Sequence, residues 1–71
     1  MIGFLGGTGP EGRGLALRMA LAGESVMIGS RDASRAHEAA QRIKDRGPVE
    51  SVSSGTNAET AERCAPVFLT V

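Results

Sequence analysis

Tryptophan and tyrosine are absent from this chain of 71 residues, phenylalanine occurs twice, and cysteine and histidine once each. Each shortage removes a class of chemistry. A lone Cys64 excludes a disulfide framework and favours a reducing compartment. Cys64 and His37 lie in different segments with nothing marking them as a pair, so a buried structural thiol is expected rather than a nucleophile. His37 itself is expected on the solvated face of its helix. No catalytic residue and no metal-ligating cluster is singled out. Charge of either sign is not in excess: eight Lys plus Arg balance eight Asp plus Glu, so no global field draws nucleic acid or an anionic membrane. Long apolar runs are missing as well; none nears about 18 residues, and the N-terminus lacks the charged region and cleavage site of a signal peptide. The expectation is one small, soluble, cytoplasmic domain without a nucleic-acid or membrane partner.

Glycine is what the chain has in quantity, ten residues in all. Gly7, Thr8, Gly9, Pro10, Glu11 and Gly12 form a G-x-G-x-x-G loop, directly after the apolar run Ile2 to Leu5 and directly before a helical run. That placement turns a common pattern into a dinucleotide-binding signature. Gly7 would allow the tight turn out of the strand, Gly9 would let backbone approach a pyrophosphate, and Gly12 would let helix and strand pack closely. The free N–H groups of the helix then face the anion. The Thr8 hydroxyl can reach a phosphate oxygen. Glu11 favours the first helical turn but not a bound pyrophosphate, so its side chain is expected to point to solvent.

The rest of the chain continues the alternation. A helix from Glu11 or Arg13 to about Ala22 is apolar nearly all round and expects cover on two sides; Gly23 would end it. Ser25 to Ile28 reads as a second short, apolar strand. Ala36, Ala39, Ala40 and Ile43 stand at i, i+3, i+4 and i+7 of a second helix, capped by Asp32 and ended by Gly47-Pro48. A third strand falls around Val49 to Ser53. Thr56 followed by Glu59 is a capping box for a short helix to about Cys64, and Val67 to Val71 is a final strand. The implied fold class is α/β, a Rossmann-like parallel sheet in the order 3-2-1-4 flanked by helices and cut short after the fourth strand. The chain ends inside that strand, which suggests the N-terminal half-domain of a larger protein.

NAD-selective folds carry Asp or Glu roughly 20 residues beyond the glycine loop, where it accepts hydrogen bonds from the ribose 2′-hydroxyl. Here Gly29, Ser30 and Arg31 occupy that place. A carboxylate repels a 2′-phosphate, whereas a hydroxyl and a guanidinium bind one, so Ser30, Arg31 and, one helical turn on, Arg35 point to NADP. Were Asp32 rather than Ser30 to face the ribose, the preference would weaken or reverse.

The run Gly6-Gly7-Thr8-Gly9-Pro10-Glu11-Gly12-Arg13-Gly14-Leu15-Ala16-Leu17-Arg18, followed by Ala22-Gly23 and Ile28-Gly29-Ser30-Arg31, resembles the NADPH-dependent reductases of the deazaflavin coenzyme F420. Gly55-Thr56-Asn57-Ala58-Glu59 and Val67-Phe68-Leu69-Thr70-Val71 fit the same pattern, and the stretch from Lys44 to Ser54 matches least. The resemblance implies an oxidoreductase in which a Rossmann domain holds NADP and hydride passes directly between nicotinamide and deazaflavin, chemistry that needs two aligned rings more than a protein acid or base. By the same resemblance, Thr8 and Gly9 would meet the pyrophosphate, and Ser30, Arg31 and Arg35 the 2′-phosphate. Thr70 and Val71 would line the path toward the nicotinamide. The deazaflavin-contacting residues would lie beyond Val71, leaving this stretch inactive by itself, and a homodimeric whole protein is left open. Pyrroline-carboxylate and imine reductases, or a non-enzymatic NADP sensor, share enough of the N-terminal pattern to stand as alternatives.

Overall fold

The computed structural model describes residues 1–6, 9–49 and 51–69, the side chain of Pro10 excepted. Four strands and three helices alternate along these residues: β1 (Ile2–Leu5), α1 (Pro10–Leu21), β2 (Val26–Ser30), α2 (Ala33–Arg46), β3 (Val52–Thr56), α3 (Asn57–Arg63) and β4 (Val67–Leu69). All strand pairs are parallel and the sheet order is β3-β2-β1-β4, the Rossmann-like arrangement read from the sequence. Every residue of β2 is buried, as expected of a parallel strand with neighbours on both edges and helices on both faces.

Strand alternation sorts the side chains into two different faces. One face carries Phe4, Val26, Ile28 and Val52, which pack with Ala16 and Ala20 of α1 and with Ala36, Ala39, Ala40 and Ile43 of α2 in a single apolar cluster. The four α2 positions are those its period selected. Cover for α1 is less complete than its composition suggests: Ala16 and Ala20 are buried, Leu15, Leu17 and Met19 only partly, and Leu21 is 54% exposed. The helix meets the sheet on one side and α2 along another, so its remaining flank is open among the described residues. Gly23, at φ 94°, follows its C-terminal end.

On the opposite face, which also carries Leu5, Met27 and Ser53, Gly3 and Gly29 leave room for α3 to lie close against the strands. A methyl group at Gly3 would come within 2.7 Å of Cys64 Cβ, and one at Gly29 within 2.6 Å of Thr60 Oγ1. The third strand is shifted from its expected place by its pairing with β2. Its register runs from Val26↔Val52 to Ser30↔Thr56, which sets Gly55 beside Gly29 under the helix. Val49 is buried but precedes the strand. Likewise β2 runs on to Ser30, because β1 and β3 supply hydrogen-bonding partners past Ile28.

Candidate functional site

All strands being parallel, their C-terminal ends lie along one edge of the sheet, and there a cleft of about 600 Å3 is bordered by Gly6, Ser30, Arg31, Asp32, Arg35, Asn57 and Leu69. Its first wall is the exit of β1. Gly6 has φ 71°, a left-handed conformation that glycine adopts without strain, and its N–H donates to Gly29 O at 3.0 Å. The turn out of the strand thus begins at Gly6. Gly7 and Thr8 lie outside the described residues, as do Thr70 and Val71.

The helix beyond the loop begins as its sequence predicts. Gly9 is the N-cap of α1, with its carbonyl accepting from Arg13 N–H at 3.0 Å, and Pro10 takes the first helical position, where no N–H is needed. No side chain caps this end. The backbone of Gly9 (φ −77°, ψ 166°) suits any residue, and among the described residues other than its chain neighbours no atom lies within 4 Å of where its Cβ would stand. What its missing side chain provides is open space over the first turn of α1, the space an anion bound by helix N–H groups requires. Gly12 is buried and the Glu11 side chain is exposed, both as expected.

The second wall is the end of β2 and the start of α2. Ser30 is only 9% exposed, and its Oγ accepts from Asp32 N–H at 3.3 Å. That bond leaves the hydroxyl hydrogen to be donated. Arg31 and Arg35 are both exposed on the border of the cleft. Asp32 faces it too, but its Oδ1 is taken by Ser34 N–H at 2.9 Å and Ser34 Oγ at 2.7 Å, so it caps α2. These bonds from Ser34 hold the Asp32 carboxyl below its ordinary value of 3.8, and it is charged at neutral pH. The structure thus brings Ser30, Arg31 and Arg35 together, with one carboxylate beside them.

The third wall comes from α3, which the sequence reading did not place at the site. Thr56 and Glu59 form the expected capping box: Glu59 N–H donates to Thr56 Oγ1 at 3.2 Å and Thr56 N–H to Glu59 Oε1 at 3.0 Å. The bond from Thr56 also holds the Glu59 carboxyl below its usual range. Thr60, fully buried, donates from Oγ1 to Thr56 O at 2.9 Å. With its first turn fixed in this way, α3 presents Asn57 to the cleft, where Oδ1 accepts from Gly6 N–H at 3.4 Å. Cys64, at the other end of α3, is buried against the Gly3 backbone, and burial pushes its thiol above the ordinary range. That is a packing residue, and His37 is exposed on α2.

The arrangement is a polar cleft that carries the Ser30 hydroxyl, the Arg31 and Arg35 guanidiniums and the Asn57 amide, with Gly6 at the exit of β1. The profile of the family described as NADP oxidoreductase, coenzyme F420-dependent, matches residues 1–71. F420-dependent NADP reductases of Methanothermobacter marburgensis and Methanothermobacter thermautotrophicus are 53% and 48% identical to the chain over 99% of its length. That of Methanocaldococcus jannaschii is 38% identical over the same share. The chain spans only about a third of the length of these relatives, 31% to 33%. A glycine loop ending β1, a Ser-Arg pair ending β2, and a match along the whole chain have one reading: this chain belongs to the F420-dependent NADP oxidoreductase family.

Proposed function

We propose that residues 1–71 form the NADP-binding Rossmann half-domain of an oxidoreductase that passes hydride between NADPH and the deazaflavin coenzyme F420. The observation that carries this reading is the grouping of Ser30, Arg31 and Arg35 on one cleft with Gly6. An NAD-type site has its recognising carboxylate facing the ribose, whereas here the nearby carboxylate, Asp32, is engaged by Ser34. Ser30 has a hydroxyl hydrogen to donate, and the two guanidiniums add charge-assisted bonds that a 2′-phosphate accepts. The backbone N–H groups at the start of α1 and the absence of a side chain at Gly9 suit the pyrophosphate, which the Thr8 hydroxyl would also meet. Thr70 and Val71, following β4, would line the path toward the nicotinamide.

Bound NADPH supplies the hydride; the protein's part is to hold the two rings in line and keep water away from them. The residues of this chain orient the adenine and pyrophosphate halves and thereby fix where the nicotinamide emerges. The names of the relatives support the deazaflavin as hydride partner.

A calorimetric titration with NADP+ and with NAD+ tests the cofactor reading. Charge-assisted hydrogen bonds contribute about 1.5 to 3 kcal/mol each, and about 1.4 kcal/mol is tenfold in affinity. The expected result is a preference for NADP+ of at least about tenfold that Arg31→Ala largely removes. A preference for NAD+ would overturn the reading of Ser30 and Arg31, and no binding to either would mean that these residues alone are not a functional module.

A further inference from the structure

We propose that Asn57 positions the cofactor, clamping the entrance of the glycine loop with one side of its amide and donating to the 2′-phosphorylated ribose with the other. The inference rests on the NADP reading of the cleft and adds to it a residue from α3.

Asn57 is 51 positions from Gly6 in sequence, yet its Oδ1 accepts from Gly6 N–H at 3.4 Å. The same N–H donates to Gly29 O at 3.0 Å, a three-centre arrangement that ties β1, β2 and α3 together where the loop begins. The contact is possible because Gly29 has no side chain: a Cβ there would lie 3.1 Å from Asn57 Oδ1. The capping box and the Thr60 to Thr56 bond set the orientation of Asn57 in the first turn. Its amide orientation follows from chemistry, since only the oxygen can accept from an N–H. The Nδ2 hydrogens are therefore what this side chain has left to offer. They have no other hydrogen bond among the described residues. Asn57 borders the same cleft as Ser30, Arg31 and Arg35, so the acceptor that suits Nδ2 there is the phosphorylated ribose. Being neutral, Asn57 donates without adding a charge to the three groups already present.

Asn57→Asp separates the two halves of this role. It keeps an oxygen for Gly6 N–H but replaces the donors with a carboxylate facing the phosphate. In the whole protein, Asn57→Asp should unfold thermally as wild type does, yet bind adenosine 2′,5′-bisphosphate and NADP+ at least about tenfold more weakly. NAD+ affinity should fall much less. Asn57→Ala should also weaken adenosine 2′,5′-bisphosphate binding, by a smaller factor because no repulsion is added; it provides the same reading should the aspartate variant fail to fold. Binding of adenosine 2′,5′-bisphosphate by Asn57→Asp at wild-type strength, or equal losses for NADP+ and NAD+, would overturn the proposed ribose-phosphate contact. A wild-type protein that binds NADP+ but not through its 2′-phosphate would instead overturn the reading of Ser30, Arg31 and Arg35 on which the inference stands.

Discussion

Asp32 shows how one residue serves folding and opposes binding at once. Its carboxylate caps α2 through Ser34 and is kept ionised by those bonds, so a full negative charge borders a cleft proposed to take a 2′-phosphate. Asn caps a helix about as well as Asp. Asp32→Asn should therefore leave stability nearly unchanged while tightening NADP+ binding severalfold, because a like charge beside the phosphate is removed. Titration calorimetry checks it; weaker NADP+ binding would mean that Asp32 contacts the ribose directly. The glycine loop after β1 and the Ser-Arg pair after β2 were legible in the sequence because each follows a local rule. Gly6 and Asn57 were not. Gly6 precedes the G-x-G-x-x-G pattern, and nothing in the spacing of Asn57 announces that a crossover brings it beside residue 6.

At the scale of the element, α3 is held by the absence of side chains beneath it as much as by its own sequence. Thr60 Oγ1 lies 2.6 Å and Thr60 Cβ 3.0 Å from where a Cβ on Gly29 would stand. Neither strand nor helix can yield locally, since Thr60 also donates to Thr56 O and β2 is paired on both edges. Gly29→Ala should therefore destabilise the fold by about 1 to 3 kcal/mol through overpacking, measured as a lower denaturant midpoint. It should also weaken NADP+ binding, because lifting α3 withdraws Asn57 from Gly6. Unchanged stability would show that α3 is free to retreat from the sheet. The order of elements and the buried stripe of α2 follow from period and capping signals that act within each segment. The position of β3 does not, because Val52–Thr56 carries two Ser and a Gly and little strand propensity, and is set by its pairing with β2.

At the scale of the molecule, balanced totals of charge conceal an uneven distribution. Arg31 and Arg35 border the cleft; Arg35 also borders a smaller depression with Arg13, Glu38 and Arg42. Arg13 and Arg42 in turn border a groove of about 470 Å3 between α1 and α2, together with Arg18 and Arg46. Six arginines thus line three adjoining hollows, opposed among the lining residues only by Asp32 and Glu38. Such a stripe of one sign raises the local concentration of an anion and steers it toward the site. Arg18 and Arg46 border only the outer groove, so they should act on the approach of NADP+ and not on the bound complex. The screening length is about 30 Å at 0.01 M salt and about 10 Å at 0.1 M, which makes the effect visible at low salt and lost at higher salt. In stopped-flow binding at about 0.01 M salt, the double variant Arg18→Gln, Arg46→Gln should associate roughly two- to fivefold more slowly than wild type with an unchanged dissociation rate. Above about 0.3 M the two proteins should associate alike. A faster dissociation rate in the variant would place these arginines in contact with the cofactor, and equal association at low salt would remove steering as a function of the stripe.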